Sequence, residues 1–217
     1  LKALGVEAVE FIGSGLAGGV PVLGKGYVGV VVVAYVGGMM RRLALKMRRI
    51  DGGRVDFFHE AEMLQRANVF GVGPRFVDVS KNFLLSELID GDFLVDWLGS
   101  HRDRVVFEGV LRDVLEQCWR LDEASLDHGE LSKAPRHLLV DKLGKLFVVD
   151  FETASVCRRV ANVTSVCQFL FVGNGVVPKL VCKVLGEKDR SQIVAVLRSY
   201  KKNRCRAYFE DLLRLCL

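Results

Sequence analysis

Three glycines set among β-branched residues constrain this chain more than any other feature of its sequence. Gly24, Gly26 and Gly29 have the spacing G-x-G-x-x-G, and residues 30–36, rich in valine, follow the third glycine directly. Such a run is typical of a strand. A dinucleotide-binding βαβ unit would need a helix here, so the pattern disfavours that unit. The glycines therefore predict the turn of a β-hairpin.

A lysine falls on the strand predicted next along the chain. Gly37 and Gly38 supply a turn, and residues 42–47, with Lys46 among them, follow as a strand. A glycine hairpin lets the backbone approach nucleotide phosphates, and a strand lysine neutralises their charge. The pattern predicts an ATP site. Its residues would be Gly24, Lys25, Gly26, Gly29, Val31, Ala44 and Lys46.

The helix predicted after this strand carries two candidate partners for Lys46. Residues 57–65 have helical apolar spacing, and Glu60 and Glu62 lie two apart, so both cannot face the lysine. We assign Glu60, because Leu64, one turn later, would pack inward beside it. The alternative is that both glutamates are solvated.

Residues 75–79 and 83–89 predict a strand pair that ends at a turn beginning with Asp90. The second strand would run along the adenine edge. Glu87 and Ile89 would offer main-chain groups there, and Ser86 would lie at the back of the pocket. An ordinary sheet edge is the alternative.

Two later segments complete a set of motifs. Asp127-His128-Gly129-Glu130-Leu131-Ser132 precedes His137-Leu138-Leu139-Val140, and Val149-Asp150-Phe151-Glu152 ends an apolar run. From about Val22 to Gln168, with Asn162-Val163-Thr164-Ser165 included, the chain resembles the atypical protein kinases of the RIO and KEOPS-complex type. It resembles in particular a small archaeal family of predicted serine/threonine kinases that carry H-G-E-L-S and D-F-E.

This resemblance implies an ATP-dependent enzyme that uses Mg²⁺ or Mn²⁺. Lys46 would hold the phosphates, Asp150 would bind the metal ion, and Glu130 would act on the acceptor hydroxyl. Asp150 fits such a role, because a carboxylate at the end of an apolar strand needs a positive partner.

The chain differs from the family pattern at two positions, one that would act in catalysis and one that would bind a metal ion. Glu130 replaces an aspartate and reaches one methylene further, so its effect depends on geometry. His137 aligns, with two extra residues in the spacing, with an asparagine that binds a second magnesium. Imidazole is a poor magnesium ligand, so His137 is either a metal ligand or a structural or substrate-contacting residue. Glu152 replaces a glycine and is either solvated, a metal ligand or a supporting group.

The element order predicts an α+β, two-lobed protein-kinase-like fold. Residues 1–88 would form a strand-rich ATP-binding lobe, and residues 89–217 a reduced helical lobe. Helices are predicted at 97–121, from 162 onward, at 192–200 and at 207–217. Only residues 151–162 separate the metal segment from the next helix, which leaves no room for a long activation loop.

Composition narrows the class of protein further. No apolar run reaches the roughly 18 residues of a membrane span, and the first residues lack the core of a signal peptide, so we expect a cytoplasmic protein. Six cysteines without a C-x-x-C pair argue against a zinc site and a disulfide scaffold. A net charge of +5 with clustered Arg and Lys would attract nucleotide, and contact with RNA or the ribosome is a second interpretation of these clusters. Solvated faces are the alternative, and no RNA-binding aromatic motif is present.

Two further functions stay open at this point. A nucleotide-binding pseudokinase, or an ATPase-type regulatory module, would explain Glu130 and His137. A small-molecule phosphotransferase would keep the same ATP site. The protein substrate is unknown from the sequence.

Overall fold

The computed structural model describes residues 1–38, 41–53 and 55–217, which form two compact units. Unit 1 comprises Leu1–Val69 and Gly73–Ile89, and unit 2 comprises Phe70–Val72 and Asp90–Leu217. Over the described residues the chain combines antiparallel sheets with seven α-helices, which confirms the α+β class.

Unit 1 is built on a six-stranded antiparallel sheet in the order β1-β5-β6-β8-β7, with β4 paired to β5 beside β1. A separate hairpin of β2 and β3 precedes the glycine segment. The strands are β1 (Val6–Glu10), β2 (Gly15–Ala17), β3 (Val20–Val22), β4 (Gly24–Lys25), β5 (Gly29–Val36), β6 (Arg41–Arg48), β7 (Phe76–Ser80) and β8 (Phe83–Glu87). The predicted strands at 30–36, 42–47, 75–79 and 83–89 are confirmed, the last ending two residues early.

The alternation of side chains along the strands gives the sheet of unit 1 two apolar faces. Val32, Leu45 and Leu85 lie in one buried cluster on the first face. The second face packs against α1 (Phe58–Val69) through a smaller cluster that contains Val28, Phe57, Ala61 and Leu84. Since residues two apart on a strand share a face, Lys46, in register with Leu84, points toward α1.

Unit 2 combines six helices with a three-stranded sheet. The sheet runs in the order β11-β10-β9 and is antiparallel throughout. Its strands are β9 (Gly91–Phe93), β10 (Leu138–Asp141) and β11 (Leu146–Val148), and the helices are α2 (Leu94–Ser100), α3 (Arg104–Glu123), α4 (Asn162–Cys167), α5 (Val176–Leu185), α6 (Arg190–Lys202) and α7 (Arg206–Cys216). The buried stripe of α3 contacts α4, α5, α7 and β11, so this helix forms the core of unit 2.

The stretch 97–121, predicted to be largely helical, is helical except at residues 101–103, where it is divided between α2 and α3. The backbone carbonyl of Trp97 accepts from the N–H of His101 at 3.1 Å and lies 2.9 Å from Nδ1 of its ring. Helix α2 ends with His101 as its C-cap. Asp103 then caps α3 by accepting from the N–H of Val106 at 3.0 Å. A side chain that caps a new helix competes with continuation of the old one.

The stretch after α4 also differs from expectation. Helix α4 continues as a π-helical turn, Gln168–Val172, and α5 follows, which the sequence pattern did not predict. Pro178 lies in the first turn of α5, where a missing N–H costs little. No single helix of the described chain is long and apolar enough to cross a membrane. Only the pair Asn162–Val172 and Val176–Leu185, bent by 73°, meets the length and composition of a span.

Candidate functional site

The glycine segment forms the predicted hairpin in unit 1. Gly24 pairs with Val31 and Lys25 with Val30, and the N–H of Gly26 donates to the carbonyl of Gly29 at 2.8 Å to close the turn. Neither a positive φ nor a close internal contact requires glycine at Gly24 or Gly26. The absence of side chains there leaves room above the backbone on the outside of the turn.

Gly29 has a different role, because the side chain of Lys46 passes beside it. A Cβ atom at Gly29 would lie 3.0 Å from Cγ of Lys46 and 3.0 Å from the carbonyl oxygen of Met47. Contacts this short are tighter than most Cβ contacts in proteins, so the neighbouring atoms would have to give way by a few tenths of an ångström. Glycine at this position therefore gives the lysine stem its path across the sheet.

Lys46 and Glu60 form a two-point ion pair within unit 1. The Lys46 Nζ atom donates to Oε1 and Oε2 of Glu60 at 2.8 and 2.9 Å. The side chains are 12% and 7% exposed, and Nζ lies 5.7 Å from the ring centre of Phe57. Because burial has removed most of the water around each charge, the two groups depend on each other for hydrogen bonds, which fixes the geometry of the pair. Glu62, by contrast, is exposed and pairs with Arg66 one turn along α1.

The other residues predicted to bind nucleotide lie around this pair in unit 1. Val31 faces Lys46 across β5 and β6, and Ala44 lies two residues earlier on the same face of β6. Lys25 is exposed on β4.

Some main-chain groups at the predicted adenine edge are already hydrogen-bonded within the protein. The N–H of Glu87 donates to the carbonyl of Arg75 at 2.8 Å, and the Glu87 carboxylate accepts from the N–H of Arg75. The main-chain group of Glu87 that could serve a ligand is therefore its carbonyl. Ile89 is half-buried at the last position of unit 1.

In unit 2, the loop after α3 is tied to the segment after β11. Asp127 and Ser155 exchange two backbone hydrogen bonds, at 2.9 and 2.8 Å. The Arg158 Nε atom donates to Oδ2 of Asp127 at 2.9 Å. Gly129 has φ +91°, and a Cβ atom there would lie 2.5 Å from an Arg158 nitrogen. The glycine of the H-G-E-L-S motif is thus favoured by its backbone conformation, while the close Arg158 nitrogen is the end of a flexible side chain that could shift.

A buried polar network supports this loop through hydrogen bonds to its backbone. The sequence analysis did not predict this network. Asn162 accepts from the N–H of His128 at 2.9 Å and donates to the carbonyl of Leu126 and to Asp122, each at 2.8 Å. Asp122 also accepts from the Tyr200 hydroxyl at 2.8 Å. Burial raises the pKa of Asp122, while its hydrogen bonds to Tyr200 and Asn162 act in the opposite direction. An acidic residue in the apolar stripe of α3 is the signal that could have revealed this network.

His128 is buried completely and stays neutral. Its Nε2 atom lies 3.0 Å from the carbonyl oxygen of Val149, which can only accept, so Nε2 carries the proton. Burial lowers the pKa of His128 to about 4. Its ring packs edge-on against His137 and Phe151. His128 therefore supports the loop and does not serve as a base near neutral pH.

The structure brings Glu130, His137 and Asp150 together within unit 2. The His137 Nε2 atom lies 2.9 Å from Oε2 of Glu130 and 4.0 Å from Oδ2 of Asp150. His137 directly precedes β10, and Asp150 follows β11 by two residues, so the open end of this hairpin places them side by side. Glu130 comes from the loop on the other side of a short 3₁₀ turn, Leu131–Lys133.

Asp150 has a backbone conformation that is uncommon for a residue with a side chain. Its φ is +68°, in the left-handed region, whereas Phe151 next to it is 1% exposed. Such strain costs on the order of 1–3 kcal/mol and persists only where packing enforces it. The buried Phe151 anchors this turn, while the Asp150 side chain is itself 32% exposed. Glu152 is half-buried two residues later.

The basic clusters are partly neutralised within the units. Arg49 pairs with Asp51, and Arg158 pairs with Asp127. Contact with RNA or the ribosome stays a prediction.

Neither the models of known protein families nor the curated proteins contain a match to this chain.

Proposed function

We propose that this protein is an atypical ATP-dependent serine/threonine kinase, which transfers the γ-phosphoryl group of ATP to a hydroxyl. The observation that carries the proposal is the two-point pair of Lys46 with Glu60, whose lysine stem crosses the space left by Gly29. A buried lysine held by a helix carboxylate beside a glycine hairpin is the arrangement that orients an ammonium toward nucleotide phosphates. The proposal includes a two-lobed kinase-like fold, with unit 1 as the ATP-binding lobe, and a cytoplasmic location.

Unit 1 would bind the nucleotide. The open backbone at Gly24 and Gly26 suits close approach of phosphate oxygens to N–H groups. Val31 and Ala44 offer a small apolar surface on the face of Lys46, and the carbonyl of Glu87 would accept from the adenine amino group.

Unit 2 would act on the acceptor. The acceptor hydroxyl oxygen forms a bond to the γ-phosphorus while the bond from that phosphorus to the β-bridging oxygen breaks, and ADP leaves. Glu130 accepts the hydroxyl proton through its carboxylate. Its reach differs from that of the aspartate in the related motif, so this step depends on what fixes the side chain.

Asp150 and Glu152 suit a divalent cation by their chemistry. Both offer carboxylate oxygens, the donors that Mg²⁺ and Mn²⁺ prefer, and the Asp150 side chain is 32% exposed. A bound ion would neutralise charge on the phosphates. The Asp150 carboxylate would hold it.

Labelled ATP tests the proposal directly. We expect transfer from γ-labelled ATP with Mg²⁺ or Mn²⁺, lost in Glu130→Gln and Asp150→Asn. Lys46→Arg should weaken ATP binding about tenfold or more, because a guanidinium cannot replace the ammonium at the same place. Lys142→Arg is the matched control, since Lys142 is 74% exposed in a surface pair with Asp90. Unchanged ATP affinity in Lys46→Arg would refute the assignment of unit 1.

A pseudokinase is the second candidate, and one observation favours it. Oε2 of Glu130 is already engaged by His137, at 2.9 Å. Tight ATP binding with neither transfer nor hydrolysis, in the wild type and in Glu130→Gln alike, would support a regulatory binding module. Transfer to a metabolite in place of a protein would indicate a small-molecule phosphotransferase.

A further inference from the structure

His137 aligns with the residue that binds a second metal ion in the kinases that the chain resembles, but neither of its ring nitrogens is available to a metal ion. Nε2 lies 2.9 Å from a Glu130 carboxylate oxygen. A carboxylate only accepts, so Nε2 carries the proton and donates it to Glu130. Nδ1 is buried and has no hydrogen-bond partner among the described residues. A metal ion would need one of these nitrogens unprotonated and accessible, and neither is.

His137 is held through its ring and through its backbone. The buried His128 packs edge-on against it, with ring centres 5.5 Å apart. The backbone carbonyl of His137 accepts from the N–H of Val149 at 2.9 Å, which extends the ladder of the β10–β11 hairpin. The His137 side chain is 15% exposed. Its Nε2–H therefore points in a direction fixed by packing.

Glu130 needs such a fixed partner more than an aspartate would. Its extra methylene adds a rotatable bond, and the side chain is 37% exposed, so packing alone leaves it several rotamers. A hydrogen bond from a rigid donor to Oε2 selects one rotamer and leaves Oε1 to meet the acceptor. The two departures from the family motif thus compensate each other.

We propose that His137 is a positioning residue, which holds the Glu130 carboxylate through Nε2–H, and that it is not a metal ligand. What Glu130 does when held rests on the proposed kinase function. The hydrogen-bonded pair itself does not depend on that function.

The first test reads the pair without any activity. In protein labelled with ¹⁵N-histidine, two-bond proton–nitrogen spectra distinguish the two imidazole tautomers. The His137 signals are identified by their loss in His137→Asn, and His101→Asn is the control for the same change at an exposed position. We expect the Nε2–H tautomer in the wild type, retained on addition of magnesium ions alone. In Glu130→Ala the tautomer should stay Nε2–H, because the buried Nδ1 has no partner for a proton in the described part of the chain, but the Nε2–H proton signal should move upfield as its hydrogen bond to the carboxylate is lost.

Two results of this experiment would overturn the proposal. One is an Nδ1–H tautomer in the wild type, or an Nε2–H proton signal that does not shift in Glu130→Ala, which would show that Nε2 does not donate to Glu130. The other is loss of the Nε2 proton when magnesium is added, which would show that His137 binds the ion.

The second test uses phosphoryl transfer. His137→Asn should lower kcat about tenfold or more and leave KM for ATP within about twofold, because the nucleotide contacts are unchanged. In a Glu130→Asp background, which keeps a carboxylate but shortens its reach toward His137, His137→Asn should lower kcat less than it does in the wild type, since a positioning residue acts only through its partner. An equal loss of kcat in the two backgrounds would overturn the proposal. If the wild type neither binds nor uses ATP, the kinase function fails, and the histidine spectra still decide the pair.

Discussion

Removing the side chain of Asn162 should destabilise unit 2 strongly. Asn162→Ala removes three hydrogen bonds and leaves the N–H of His128 and the carbonyl of Leu126 buried without that partner. Each such orphaned group costs about 1–3 kcal/mol, and the bond to the Asp122 carboxylate adds about 1.5–3 kcal/mol. A water molecule that enters the vacated space would restore part of this. We expect a loss of about 4 kcal/mol, or roughly 8–16 °C in Tm for a chain of this size.

Tryptophan fluorescence during urea unfolding measures this loss in the right part of the chain. Both tryptophans, Trp97 and Trp119, lie in unit 2, so their signal reports its unfolding. Asn174→Ala is the matched control, because Asn174 is exposed and should change the free energy by no more than about 0.5 kcal/mol. If Asn162→Ala loses less than about 1 kcal/mol, the network does not support the loop as described.

Three further changes have signs fixed by the structure. Gly29→Ala should lower stability in calorimetry by about 1–3 kcal/mol through overpacking, whereas Gly24→Ala, with open space around it, should stay within about 0.5 kcal/mol; equal effects would contradict this. Because burial lowers the pKa of His128 to about 4, the unfolded chain alone takes up that proton below pH 6.5, and the free energy of unfolding should fall by up to about 3 kcal/mol as the pH drops to 4. In urea titrations, His128→Gln should lose this part of the pH dependence. Tyr200→Phe removes the hydrogen bond from the Tyr200 hydroxyl to Asp122 and should lower the free energy of unfolding by about 1.5–3 kcal/mol in the fluorescence assay. A change near zero would show that this hydrogen bond does not stabilise unit 2.

The features of unit 1 that could be predicted are the local ones. A hairpin follows from glycines between β-branched runs, and the strand with Lys46 follows from alternation. Glu60 could be chosen over Glu62 because helical spacing fixes which residues share the inward face. The role of Gly29 could not be predicted, since the approach of Lys46 depends on the register of β5 against β6.

Unit 2 shows where local patterns fail. The break between α2 and α3 depends on Asp103 as a cap, and an aspartate within an apolar period looks like any exposed helix residue. Helix α5 was missed because Pro178 lies near its start, and its helix formation is decided by packing in the core of the unit.

The α+β class, the strands around Lys46 and most of the helices follow from periodicity and side-chain chemistry within a few residues, so the amino-acid sequence was enough to predict them. Tertiary structure decided which side chains meet. The contact of His137 with Glu130, the support of the loop by Asp122 and Asn162, and the strained turn at Asp150 join residues that are 7 to 40 positions apart or are held by distant packing. Such contacts arise only when the chain closes around a core, because burial and hydrogen-bond satisfaction act on the folded arrangement as a whole.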